Sequence, residues 1–173
     1  MTIQEATDLI RFSPDPAKAV WLELGAGGGT FTRALARLLG QGSTIYAVDR
    51  QPLRVEPVVD GVRIHGLQAD FESEPIHVPP ADGLLMANVL HYVRHPEAFL
   101  EKLFPLLQRR HSLLIVEYEL RQGNPWVPYP LDYARLSSLV EHLGYGTIRK
   151  LGERPSLYGP HPLYAALIES STP

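Results

Sequence analysis

The chain has 173 residues, 45% of them hydrophobic, and a formal net charge of −3. That length suits a single domain over 1–173 with a buried apolar core. Without a cysteine, disulfides, thiolate zinc sites and a cysteine nucleophile are excluded, and without a long basic run nothing points to a nucleic-acid partner.

Residues 1–18 form a short leading segment. Ile3, Ala6, Leu9 and Ile10 recur at helical spacing, and Pro14 and Pro16 end that helix. Glu5 and Asp8 break its apolar character, so it does not read as a secretory signal. No run of about 18 apolar residues occurs, so no membrane contact is expected and the cytoplasm is the expected compartment.

Residues 19–173 carry the core. Ala19 to Leu24 is an apolar strand that runs into Gly25-Ala26-Gly27-Gly28-Gly29. Glycine accepts strained dihedrals and adds no bulk, so this is a tight turn open to close approach. A helix follows from Thr30 to Leu39, with Phe31, Ala34, Leu35, Leu38 and Leu39 on one stripe and Gly40 as its stop. Its first amides favour an anion or a carboxylate. Glu23 lies two residues before the first glycine, inside the strand end.

Ser43 to Val48 is a second strand, closed by Asp49. Asp49 falls roughly 20 residues past the glycine loop, where a carboxylate accepts the hydroxyl protons of a ribose. The crossover from Arg50 to Gly61 holds Pro52 and Pro57 and has room for a short helix at most. Val62 to Leu67 is a third strand, running toward Asp70, and Gly83 to Ala87 a fourth, closed by Asn88. A helix starts at Pro96, with Phe99, Leu100, Leu103, Phe104 and Leu107 as its buried stripe and Pro105 to kink or shorten it. The pair Arg109-Arg110 reads as a solvated helix end. Ser112 to Tyr118 is a fifth strand, apolar on both faces as central parallel strands are. Leu131 to Leu143 is a helix stopped by Gly144, and Thr147 to Leu151 and Leu163 to Glu169 are the last strands. Joined by a loop alone, these two pair antiparallel. Alternating strands and helices imply a mostly parallel sheet with helices on both faces.

In such sheets ligands sit at the carboxyl ends of the strands. Two loop chemistries compete there. The dinucleotide fingerprint G-x-G-x-x-G is incomplete, because Gly25-x-Gly27-x-x-Thr30 ends in threonine. The pattern acidic-x-Gly-x-Gly-x-Gly is met at every position by Glu23-Leu24-Gly25-Ala26-Gly27-Gly28-Gly29. It resembles motif I of the class I S-adenosylmethionine-dependent methyltransferases. Asn88-Val89-Leu90-His91-Tyr92-Val93 is similar to the N-V-L-H-H-V stretch of small-molecule members such as the quinone-biosynthesis group. The resemblance runs from about Ala19 to Glu169, with two departures. Leu107-Gln108-Arg109-Arg110-His111 stands where those relatives have Leu-Lys-Pro-Gly-Gly. No acidic-or-Asn-Pro-Pro-Tyr sequence follows the fourth strand, which argues against amino methylation of nucleic-acid bases.

The resemblance implies a Rossmann-like three-layer α/β/α sandwich whose seven-stranded, mostly parallel sheet closes in a C-terminal antiparallel hairpin. It implies S-adenosylmethionine as cofactor, S-adenosylhomocysteine as product and a small-molecule acceptor. Glu23, Gly25, Ala26, Gly27 and Gly29 would meet the cofactor at the loop, Asp49 and Arg50 at the ribose, Asp70 and Phe71 at the adenine, with Asn88 beside them.

His91 lies past the fourth strand, where an acceptor approaches, and is the candidate base. Tyr118 or Glu117, ending the fifth strand, is a candidate for orienting a substrate hydroxyl. The stretch Arg121 to Pro130 carries three prolines, Trp126 and Tyr129, and reads as an aromatic lid. His161 and Tyr158, in the last loop, receive no role. The histidines lack metal-ligand spacing, so no metal is expected. With so short a leading segment, the pocket should be open, or closed by the Trp126 stretch or by a second subunit in a homodimer. Two other classes share the strand-glycine-helix-acid pattern. A nicotinamide-dependent oxidoreductase would want a Tyr-x₃-Lys pair, which is absent. A non-catalytic module that binds the nucleoside cofactor is the other.

Overall fold

The computed structural model describes residues 1–14, 17–156 and 159–170; Pro16, the expected helix stop, and Tyr158 lie outside them. Its spine is an eight-stranded sheet formed by β1 (Val20–Leu24), β2 (Thr44–Asp49), β3 (Val58–Val59), β4 (Val62–Gln68), β5 (Ala81–Ala87), β6 (Leu107–Tyr118), β7 (Gly146–Arg154) and β8 (Leu163–Ser170). The order is β3-β4-β2-β1-β5-β6-β8-β7. Strands β4, β2, β1, β5 and β6 run parallel, so their carboxyl ends share one rim. The last hairpin is antiparallel, with β8 inserted between β6 and β7.

Alternation along the strands sorts the core into two layers. Trp21, Ile45, Ala47, Leu85, Leu114 and Val116 face α1 (Ile3–Leu9) and α2 (Thr30–Ala36). Leu22, Leu84, Met86, Leu113 and Ile115 face α3 (Pro96–Leu103) and α4 (Tyr133–His142). This is the expected sandwich of helices on both faces of a mostly parallel sheet, with one strand more than the seven counted from sequence.

The added strand lies in the second crossover. No helix forms between Arg50 and Pro57. Asp60 and Gly61 both take positive φ, 49° and 82°, and fold β3 back on β4. Two positive φ values are what a two-residue turn between twisted strands requires. Arg33 of α2 holds the extended part, donating to Glu56 Oε2 at 3.0 Å and to the Arg54 carbonyl at 3.1 Å.

Other boundaries also differ. The helix after the glycines stops at Ala36 rather than Leu39. Asp132 caps α4 by accepting from the Arg135 amide, so that helix starts at Tyr133 rather than Leu131. Pro105 ends α3 through a single 3₁₀ turn, Phe104–Leu106. The chain is then already extended at Leu107, which belongs to β6 and not to the helix stripe. Arg109 and Arg110 are therefore exposed strand residues, not a helix end. The register with β5 jumps from Ala81–Leu107 to Gly83–Ser112, and the four residues between bulge outward.

Trp21 pairs across the sheet with Gly83, and a Cβ on Gly83 would come within 2.4 Å of its indole. Gly83→Ala should therefore destabilise the fold by about 1–3 kcal/mol through overpacking, read as a lower urea midpoint. Trp21→Leu in the same chain should recover part of the loss. A fully tolerated Gly83→Ala would show that the indole is not held against the strand.

Candidate functional site

The rim is built by strand ends. From one side to the other it presents Asp70 after β4, Asp49 ending β2, Glu23 and the glycine loop on β1, Asn88 after β5, and Glu117 with Tyr118 ending β6. The loop is tied to its neighbour: the Gly25 and Ala26 amides both donate to the Val48 carbonyl, at 2.8 and 3.1 Å. Gly25 has φ 74°, and a Cβ there would strike Val89 at 2.5 Å, so both conformation and space demand glycine. Gly27 and Gly28 have nothing within 4 Å of a virtual Cβ and face open space. Asp49 braces this loop, accepting from the Gly27 amide through Oδ2 and from the Gln51 amide through Oδ1, each at 2.8 Å.

Glu23 is 1% exposed, and its Oε2 has no hydrogen-bond partner. Burial pushes its pKa up to about 7; the nearby Thr32 hydroxyl opposes the shift and the Asp49 charge adds to it. One strand over, Asn88 adopts φ 58°, uncommon outside glycine, and its Oδ1 is also buried without a partner. Buried polar atoms are nearly always paired, so two such oxygens on adjacent strand ends call for donors. Asp70 heads a single turn that does not continue into a helix. The Glu72 amide, and then the Arg50 guanidinium, hold its carboxyl below the usual range. Arg50 lies between Asp70 and Glu72, 3.4 Å from each. Phe71 is buried against Phe99, with ring centroids 6.0 Å apart.

On the other half of the rim, His91 is the middle residue of a one-turn 3₁₀ helix, Leu90–Tyr92, and is buried. Its Nδ1 lies 2.6 Å from Glu117 Oε2, while Glu117 Oε1 accepts from the Val89 and His91 amides at 3.1 and 3.3 Å. Glu117 is fully buried, so these three groups replace its water. With its Nδ1–H donated to the carboxylate, the imidazole keeps Nε2 as its accepting nitrogen. Glu117 is thus a partner of His91 rather than a substrate-orienting group. Twenty-six residues separate the two in sequence, and no local signal pairs them.

His91, Asn88, Tyr118, Trp126 and His161 line one cleft of ≈ 540 Å³. Asn124 shapes its outer wall. Its Oδ1 accepts from the Trp126 and Val127 amides at 2.8 and 2.9 Å, closing a tight turn that leaves Trp126 80% exposed and Val127 buried. Tyr129 donates its amide to the His91 carbonyl, and its side chain lines a neighbouring hollow with Arg121 and Arg135 instead. His161, given no role from sequence, also lines the cleft, with Ser156, Gly159 and Pro160 beside it. Among the described residues no three His, Cys, Asp or Glu side chains converge as metal ligands would, and no helix is long and apolar enough to cross a membrane.

The methyltransferase-domain family matches residues 3–166, and the chain belongs to it. Its fold is that of the class I S-adenosylmethionine-dependent methyltransferases. An S-adenosylmethionine-dependent methyltransferase from Aquifex aeolicus is 20% identical, with a TM-score of 0.58 over 97% of this chain and 99% of that one. The Burkholderia thailandensis 1,6-didemethyltoxoflavin-N1-methyltransferase, crystallised with bound 1,6-didemethyltoxoflavin and S-adenosylhomocysteine, is 19% identical. Its TM-score is 0.69 over 98% of this chain and 78% of that one. EvdMO1 is 23% identical with a TM-score of 0.56 over 90% of this chain, which spans 38% of the EvdMO1 chain. A search of the curated proteins finds no match.

The Glu23 carboxyl has an ordinary pKa of 4.5 and one of about 7 in the fold. Between those values the unfolded chain has lost a proton that the fold keeps. Stability therefore falls as pH rises through that window and stays lowered above it. Glu23→Gln should remove this fall and raise stability at pH 8 by on the order of 3 kcal/mol. Urea unfolding of both proteins from pH 5 to 8 measures it; identical slopes would rule Glu23 out as the titrating group.

Proposed function

We propose that this protein moves a methyl group from S-adenosylmethionine to a small-molecule acceptor, releasing S-adenosylhomocysteine, with His91 as the base. The observation that carries this reading is the pair of buried, unpartnered oxygens, Glu23 Oε2 and Asn88 Oδ1, flanking a loop whose Gly27 and Gly28 are bare. An amino-acid ammonium brings three donors and suits two orphaned acceptors. When bound, the cofactor supplies an electrophilic methyl on a sulfonium.

The chain's own residues divide the remaining work. Gly25, Ala26, Gly27 and Gly29 give the cofactor a floor without side chains taller than a methyl. Each Asp49 oxygen holds one backbone amide and keeps a further lone pair for a ribose hydroxyl. Asp70 accepts from the adenine amino group, Phe71 packs beneath the ring, and Arg50 tempers the acidic charge around them. Glu117 orients His91, which takes the acceptor proton, and Tyr118 borders the acceptor beside it. Trp126 covers the cleft and Tyr129 anchors the covering segment. A cleft of ≈ 540 Å³ falls in the range of small-molecule sites. Cytoplasmic location and homodimeric assembly belong to the same proposal, to be read by fractionation and light scattering. A nicotinamide-dependent reading is weakened by the antiparallel β8, which stands where a plain dinucleotide fold continues in parallel.

In parallel calorimetry runs, S-adenosylhomocysteine should bind and NAD should not; preference for NAD overturns the proposal. Asp49→Ala should weaken S-adenosylhomocysteine binding by about 1.5–3 kcal/mol, and an unchanged affinity would remove Asp49 from the ribose role. With an acceptor in hand, His91→Ala should lower kcat by about 10²–10⁴-fold and leave S-adenosylhomocysteine affinity intact. Retained kcat would show that the acceptor needs no base.

A further inference from the structure

Resting on that reading, we infer that the acceptor is an uncharged aromatic hydroxyl compound, methylated on oxygen. Among the described residues no Asp, Glu, Lys or Arg lines the cleft beside His91. A charged acceptor would give up its hydration there and find no free counter-ion in the wall, the Glu117 carboxylate behind it being already held by His91 and two amides. The walls are instead mostly apolar and aromatic, with Asn88, Asn124, Ser156 and His161 as the polar side chains beside His91. Trp126 and Tyr92 stand 80% and 54% exposed at its opening, with Leu120 and Val127 buried behind them. The Tyr92 ring lies 4.2 Å from the His91 ring and the Tyr118 ring 5.9 Å from it, centroid to centroid, so the base sits within an aromatic surround. Flat rings gain most from such walls.

The oriented base selects the atom. A thiol ionises near pH 8.5 and supplies its nucleophile with little help, whereas a phenol, near 10, is mostly protonated at neutral pH yet acidic enough for an imidazole to assist. An alkylamine is a cation at neutral pH and meets the same missing counter-ion. A phenolic O–H therefore matches both the apolar walls and the His91–Glu117 pair. In the transfer the acceptor oxygen forms the C–O bond, the S–C bond breaks with its electrons returning to sulfur, and the O–H proton passes to His91 Nε2. The charges balance: the sulfonium becomes a neutral thioether and the imidazole gains the proton.

The test is calorimetry on the full chain saturated with S-adenosylhomocysteine, using 2-naphthol, 6-hydroxy-2-naphthoate and 2-(aminomethyl)naphthalene as probes. We expect 2-naphthol to bind, and both charged analogues to bind at least about tenfold more weakly. Trp126→Ala should weaken 2-naphthol binding roughly tenfold while leaving S-adenosylhomocysteine affinity and melting temperature unchanged, since that side chain is mostly in water. With S-adenosylmethionine, mass spectrometry should then find 2-methoxynaphthalene. Equal or tighter binding of either charged analogue overturns the inference, as does absence of 2-naphthol binding to protein that takes up S-adenosylhomocysteine. Failure to bind S-adenosylhomocysteine itself overturns the cofactor reading beneath it.

Discussion

Burying a carboxylate is tolerable only where other donors replace the lost water, and this constraint explains the two halves of the rim. Glu117 and Glu23 both end parallel strands of one sheet and both are buried. Glu117 is surrounded by two amides and an imidazole, so the fold supplies its donors. Glu23 keeps an oxygen without a hydrogen-bond partner, with only the Thr32 hydroxyl nearby to offset its burial, and its proton is correspondingly hard to remove. One acid is therefore complete in the folded chain and serves as a fixed support. The other is completed from outside, and a cationic donor that arrives relieves a cost already present in the empty fold.

Strand alternation puts the two acids on opposite faces of the sheet. Glu23 lies between Leu22 and Leu24 and turns toward α2, on the Trp21 side. Glu117 follows Ile115 by two and turns toward the α3–α4 side. The glycine loop crosses from one face to the other between them. Gly25 must leave room for Val89, which belongs to the segment carrying His91. A larger residue at Gly25 would disturb the cofactor loop and the His91 turn together. Packing of this kind ties two chemical sites into one rigid unit.

Much of this was legible in the residues. The glycine cluster after an apolar strand, the acids following strand ends and the loop-only link between the last two strands are local signals, and each placed its element correctly. Features set by tertiary contact were not readable in the same way. The His91–Glu117 pair forms because β5 and β6 are neighbours in the sheet. The extended start of β6 at Leu107 reflects pairing with Ala81, which outweighed the helical spacing of the preceding apolar residues. One miss was local: Val59-Asp60-Gly61-Val62 carries the Asp-Gly turn that marks a tight hairpin, and it accounts for β3. Asn124 likewise shapes the Trp126 turn through its own side chain, a signal present in Asn-Pro but dependent on which amides it meets.

The rim's charge is divided, and the division bears on the chemistry. Asp70, Arg50, Asp49 and Glu23 cluster over β4, β2 and β1, while over β5 and β6 the Glu117 carboxylate is buried behind His91 and no Asp, Glu, Lys or Arg lines the described cleft wall. Methyl transfer from a sulfonium to an oxygen that is losing its proton brings opposite charges together and cancels them. Water stabilises the separated charges and so opposes that step; an apolar wall that displaces water on the acceptor side removes the opposition. Charged groups exposed in that wall, unlike the buried and paired Glu117, would restore a polar environment where it does most harm. The polar half can remain charged, because its task is to hold the parts of the cofactor that do not react. On this argument a described lining without Asp, Glu, Lys or Arg matters as much as the base within it. The sheet achieves the separation through strand order alone, since β1 and β5 stand side by side at the boundary between the two halves.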